Sequence, residues 1–152
     1  MDGFSFTQSQ RQRWMAVLAH CLPAELQSHW QALGLSPDYT LIRPAESGLT
    51  QIQARAGASG QRFFLGDATL TRAVVRLSGG AYGYSYLLGR DKARAERCAV
   101  IDALLQTPSY HEMLMQRLIN PLDALRRERL SQRARAVATS RVDFFTLVRG
   151  DN

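Results

Sequence analysis

The spacing of apolar residues along this chain changes period twice. Trp14, Val17, Leu18 and Cys21 recur at intervals of three and four, which predicts a first helix capped by Thr7 or Ser9 and running to about Cys21. Pro23 suits the first turn of a second helix, Leu26, Trp30 and Leu33 mark its inner face, and Gly34 is its expected C-cap. From Tyr39 to Leu88 the pattern shifts to short strand-like runs: Tyr39–Arg43, Leu49–Ala56, Gln61–Leu65, Thr69–Leu77 and Tyr82–Leu88. Glycine-rich segments between them read as turns, at Pro44–Gly48, Ala56–Gly60, Gly66-Asp67 and Ser78–Gly80. Alternation puts Thr71, Ala73, Val75 and Leu77 toward a core and Arg72 and Arg76 opposite.

Helical spacing resumes at Asp91, a plausible N-cap, with Ala95, Cys98, Ile101, Asp102 and Leu105 on one side and Pro108 beyond the end. A further helix over 109–119 carries Met113, Leu114 and Leu118, and Asn120-Pro121 restarts a long one through Thr139. The expected fold class is therefore α+β. It comprises an N-terminal helical pair (9–34), an antiparallel β-meander of four to five strands (39–88), C-terminal helices (91–139) and an extended apolar tail (140–152). No internal repeat or low-complexity linker interrupts the 152 residues, which are expected to pack as a single domain.

The tail is the segment most in need of a receiving surface. Chain ends are usually polar and frayed, yet this one carries Val142, Phe144, Phe145, Leu147 and Val148. Burying one such side chain contributes about 1.5–3 kcal/mol. In an extended segment Phe144 and Phe145 face opposite ways, with Val142 beside the first and Leu147 beside the second. One surface of a small domain does not cover both, so Val142, Phe144, Phe145, Leu147 and Arg149 are expected at a partner interface, with Arg149 on its rim.

Composition excludes several classes. Hydrophobic content of 45% and charged content of 21% are ordinary for a soluble globular chain. The first residues carry no secretory pattern, and no apolar run approaches the roughly 20 residues of a membrane span, so a cytoplasmic protein is expected. Cys21 and Cys98 fit reduced, buried thiols. The net charge of +6 is concentrated between Arg126 and Arg141, where six arginines face a single acid, Glu128.

Candidate chemistry is sparse. His20, His29 and His111 are isolated, with no metal-ligand pair in the sequence. His20 and Cys21 are neighbours, but on a helix neighbours point about 100° apart. Gly79–Gly83 joins two strands, whereas a dinucleotide cradle leads from strand to helix. Gly89-Arg-Asp-Lys92 does lead into a helix, which makes Arg90 and Lys92 a candidate anion-binding pair; Asp91 would cap the helix there. Lys92 could also simply be solvated or paired with Glu96, and Arg90 and Arg94 are expected to be held by carboxylates. Tyr82, Tyr84 and Tyr86 share one strand face, open to base stacking or to a protein partner, although no basic residue lies within that strand. Arg126, Arg129 and Arg133 share one helix face and Arg127 and Arg135 another, which suits a solvated or partner-facing helix better than a phosphate track. No catalytic residue, metal site or cofactor is expected.

Several strings resemble a known family. Gln10-Arg-Gln-Arg-Trp-Met15, Gln51-Ile-Gln-Ala-Arg55, Arg62-Phe-Phe-Leu-Gly-Asp-Ala-Thr-Leu-Thr-Arg72, Gly89-Arg-Asp-Lys92 with Ala95-Glu-Arg-Cys-Ala99, Ile101-Asp-Ala103 and Arg141-Val-Asp-Phe-Phe-Thr-Leu-Val-Arg-Gly150 resemble, in order, the PhnG family of the bacterial carbon–phosphorus lyase system. The resemblance implies a subunit that assembles with PhnI, PhnH and PhnJ, aided by PhnL, with two copies in a hetero-oligomer. That assembly replaces adenine on the ribose of ATP with a phosphonate. The resemblance assigns the glycosidic step to PhnI and radical chemistry to PhnJ, and it carries no catalytic motif onto this chain. A non-catalytic structural subunit is thus the expected function. The alternative from the residues alone is a small nucleic-acid-binding protein using the tyrosine strand and the basic helix.

Overall fold

The computed structural model describes the backbone of residues 3–55 and 60–150, and side chains within these ranges as far as residue 139, save residue 55. Helix α1 (Gln8–His20) starts at a capping box: the Thr7 hydroxyl accepts from the Gln10 amide at 3.0 Å while the Gln10 side chain accepts from the Thr7 amide at 2.7 Å. Helix α2 (Pro23–Leu33) has proline in its first turn and ends at Gly34, whose φ of 64° is the left-handed cap expected. Trp14, Val17, Leu18, Cys21 and Leu26 are buried.

Three strands follow, not four to five: β1 (Tyr39–Arg55), β2 (Arg62–Leu77) and β3 (Tyr82–Leu88), antiparallel in the order β1-β2-β3. The segments read as turns at Pro44–Gly48 and Gly66-Asp67 lie within β1 and β2. Pro44 is tolerated because β1 is an edge strand, where a missing N–H need not interrupt a ladder. Register shifts between Leu41 and Arg43 and between Arg43 and Glu46 take up the irregularity as bulges. A third shift, between Ile52 and Gln53, lies where Ile52 pairs with Gly66. The turn expected at Ala56–Gly60 falls mostly at residues 56–59, outside the described residues.

Helix α3 (Lys92–Leu105) lies on the face formed by Thr71, Ala73, Val75, Leu77, Ser85 and Leu87, all buried as the alternation requires. Contact is closest at Gly83, where a Cβ would overlap the Ala99 carbonyl oxygen and stand 2.9 Å from the Ala103 Cβ. The opposite side of α3 meets α1 and the C-terminal helices, and Ile101, Leu105, Leu114, Leu118, Ile119 and Leu122 complete the core.

From Pro108 to Gly150 the chain is one continuous helical course. Helix α4 (Pro108–Leu114) runs through a π turn (Met115–Ile119) into α5 (Asn120–Gly150). The wide turn just precedes Pro121, whose ring would crowd the carbonyl four residues back in a regular helix. The helix expected to end at Thr139 continues to Gly150, so the backbone of the tail is helical rather than extended. No glycine or proline stands between Pro121 and Gly150, and nothing in the sequence breaks the helix once it is nucleated. With it falls the argument that alternation separates Phe144 from Phe145.

Candidate functional site

Asp102, on α3, is fully buried, and its carboxylate gathers donors from α1, from β3 and from the residue just past its own helix. It accepts from Arg11 Nε at 3.2 Å and Nη2 at 2.8 Å, from Trp14 Nε1 at 2.8 Å and from the Tyr84 backbone N–H at 3.0 Å. Gln106 Nε2 reaches it at 3.3 Å and donates to the Tyr82 carbonyl at 2.8 Å. The hydrogen bond to Asp102 raises the Arg11 pKa above its already high ordinary value. The outer edge of β3 is therefore closed at Tyr84 by Asp102 of α3 and at Tyr82 by Gln106, the C-cap of that helix. Sequence reasoning placed Asp102 on the inner side of its helix without giving it a role; an acid on an apolar face must find partners or remain uncharged, and that was the available signal.

With that edge closed, the face of β2 and β3 turned away from α3 displays a mixed aromatic and cationic surface. Arg72 lies opposite Tyr86, Val74 opposite Tyr84 and Arg76 opposite Tyr82. All three tyrosines are exposed, as are Arg72 and Arg76. The Arg76 guanidinium carbon stands 5.8 Å from the Tyr82 ring centre and that of Arg11 5.6 Å from Tyr84. The basic residues that the tyrosine strand itself lacks are supplied by its neighbour. Among the described residues neither Arg72 nor Arg76 forms an ion pair. Beside this face a cavity of about 210 Å³ opens between α1 and β3, lined by Met15, Ala16, Leu18, Tyr84 and Tyr86.

The Gly89–Lys92 turn lies elsewhere, at the start of α3. Arg90 and Lys92 line a cleft of about 350 Å³ with Ser47, Gly48, Leu49 and Thr69, and both cations are exposed. Asp91 caps the helix, its Oδ1 accepting from the Arg94 amide at 3.0 Å. Arg94 is not held by a carboxylate as expected: its Nη2 donates to the carbonyls of Leu18, Ala19 and Cys21 at 2.9–3.1 Å, satisfying the C-terminus of α1. Glu96 accepts a hydrogen bond from the Tyr39 hydroxyl instead of pairing with Lys92, which pushes the phenol up to about 12.

The remaining candidates are tied into structure. His29 Nδ1 lies 2.9 Å from the Glu25 carbonyl and His111 Nδ1 2.8 Å from that of Leu105, while the His111 ring packs edgewise on Trp14 and Phe4. Burial pushes Cys98 up to about 12 and raises Cys21 as well, against the pull of Arg94, so both remain thiols near neutrality. No group of three metal-ligating side chains occurs among the described residues. On α5, Arg129 pairs with Glu25 at 2.6 Å and Arg127 with Asp123 at 3.1 Å. Val142, Phe144, Phe145, Leu147 and Arg149 have helical backbone, and their side chains lie outside the described residues.

One region was missed altogether. Beyond α3 the β1–β2 hairpin continues with apolar side chains in water: Leu49 is 75% exposed, Phe64 56% and Leu65 60%, with Phe63 also exposed. No helix of the described residues is long and apolar enough to cross a membrane.

Comparison with known proteins agrees over nearly the whole chain. The family model described as phosphonate metabolism protein PhnG matches residues 9–150. The alpha-D-ribose 1-methylphosphonate 5-triphosphate synthase subunit PhnG of Rhizobium meliloti (strain 1021) is 40% identical over 147 residues, covering 95% of this chain and 92% of that protein.

Proposed function

The chain belongs to the PhnG family, and we propose that it is a non-catalytic subunit of the assembly that exchanges adenine of ATP for a phosphonate. The observation that carries this reading is the amount of interaction surface left in water: Leu49, Phe63, Phe64 and Leu65 on the outer hairpin, and the tyrosine–arginine face of the sheet. An isolated two-stranded hairpin is marginal in water, so these apolar residues are better suited to a partner than to this chain's own stability. The titratable groups bear on the same point. The Asp102 carboxylate is saturated by donors, the thiols are held protonated, and two of the three histidines are bonded to backbone carbonyls.

In this reading the whole chain acts as one domain in the cytoplasm, present in two copies with PhnI, PhnH and PhnJ and served by PhnL. Val142, Phe144, Phe145, Leu147 and Arg149 on the end of α5 form part of the partner interface. Arg90 and Lys92 receive an anionic group, from a partner or a ligand, at their cleft. Affinity purification of the tagged chain from cells grown on a phosphonate as sole phosphorus source tests the assembly, and these subunits should be recovered with it. The purified chain, given ATP and methylphosphonate, should release no adenine. Release that a point substitution in this chain abolishes would overturn the non-catalytic assignment. Deleting residues 142–152 should abolish recovery of PhnI, and Arg90→Ala with Lys92→Ala should weaken assembly or triphosphate binding without lowering the melting temperature.

A further inference from the structure

We infer that the open face of the sheet, centred on Val74 and Tyr84 and flanked by Arg72 and Arg76, docks an acidic polypeptide segment of a partner subunit. Tyrosine and arginine, with tryptophan, are the side chains enriched where binding energy concentrates in protein interfaces. Here they alternate across two strands, with Arg72 opposite Tyr86 and Arg76 opposite Tyr82 around the half-buried Val74. An apolar centre with a cation on either side is complementary to a segment with a hydrophobic middle and carboxylates on its flanks. The two arginines lie four residues apart on one strand, about 13 Å at roughly 3.3 Å per residue, and that sets the separation the partner's carboxylates must match.

Charge identifies the occupant. Arg11 on this surface is already neutralised by Asp102, and Arg43 lies 4.0 Å from Glu46. Arg72 and Arg76 form no ion pair among the described residues, and with Glu46, which stands across the strands from Arg72, set against Arg43, theirs is the net positive charge left on this face. The same geometry disfavours nucleic acid. Base stacking needs free ring faces, whereas guanidinium groups stand over Tyr82 and Tyr84. It also fixes how the segment binds. The Tyr84 amide is taken by Asp102 and the Tyr82 carbonyl by Gln106, so the partner lies across the face rather than adding a strand at this edge. The cavity between α1 and β3, with Met15 and Ala16 at its wall, offers a socket beside the face for an apolar side chain of the same segment.

This inference rests on the subunit reading for the existence of a partner. The test uses the full chain, tagged and coexpressed with the other subunits, as wild type and as Arg72→Glu/Arg76→Glu. The double variant should lose at least tenfold in recovered partner while its isolated melting temperature stays within about 2 °C of wild type, since both side chains are exposed. A photo-crosslinking residue at Tyr86 should attach to a partner peptide containing aspartate or glutamate. Full recovery by the double variant overturns the inference, as does a crosslink to a peptide without acids, to a second copy of this chain, or to RNA. Failure of the wild-type chain to recover any subunit overturns the subunit reading and this inference together.

Discussion

Residues 71–77 of β2 alternate between covered and exposed positions, whereas residues 62–65 of the same strand are exposed at every position. Length explains the difference. Helix α3 has 14 residues and is about 21 Å long at 1.5 Å per residue, while the 16 residues of β2 extend for about 53 Å at roughly 3.3 Å each. The helix covers one half of the hairpin and leaves the other as a ribbon. In the covered half a side chain is chosen for its fit to α3. In the ribbon Phe63 and Phe64 are neighbours on opposite faces and neither is buried, so neither adds to the core that α3 closes.

The comparison is most strongly tested at Asp102. Removing its carboxylate with Asp102→Ala strands Arg11, the Trp14 indole and the Tyr84 amide, and should destabilise the chain by about 3–5 kcal/mol in urea unfolding. Gly83→Ala follows, at about 1–3 kcal/mol or more, because the new methyl must displace the α3 backbone at Ala99. Over its first pH unit above 9, alkaline titration should give a smaller effect, about 1 kcal/mol. The Cys98 thiol keeps its proton to about 12 in the folded chain, so above its ordinary value of 9.0 the unfolded chain loses that proton first. Stability present below pH 9 should therefore fall as pH rises toward 12, and Cys98→Ala should flatten that decline. Tyr39 acts in the same direction, and Tyr39→Phe separates its share. The smallest effect should be in the ribbon. Phe63→Ser with Phe64→Ser should change the unfolding free energy by no more than about 0.5 kcal/mol while lowering partner recovery. A loss of several kcal/mol there would mean that the two halves are one cooperative unit and that the contrast is wrong.

Where the sequence was legible, the reason is local chemistry. The Thr7 cap, Pro23, Gly34 and Asp91 act through contacts within a few residues, and the alternation from Thr71 to Leu77 reports a face that α3 does cover. The interrupted strands were illegible because Pro44 and Gly66 signal a turn in isolation. Only pairing across to a neighbouring strand converts them into bulges. The tail failed for a related reason: Val142 to Val148 reads as a strand by composition, but its preceding residues are already helical and propagate through it. The Asp102 cluster joins residues about 90 positions apart, and the cross-strand arginines beside the tyrosines depend on register. Neither relation exists in the linear pattern.

The π turn at Met115–Ile119 has a geometric consequence for everything after it. Such a turn holds one residue more than an α turn, and each residue of a helix advances the azimuth by about 100°. Upstream, Leu114 points into the core; downstream, Leu122 and Asp123 are the last buried positions before α5 leaves the body. The bearing of that whole basic arm is thus indexed by a single residue hidden beneath it. Losing one residue in the turn would spare the arm's sequence and its helicity yet swing its contact face by more than a quarter of a revolution, taking Arg129 away from Glu25. The bearing of the long helix is here set from the interior.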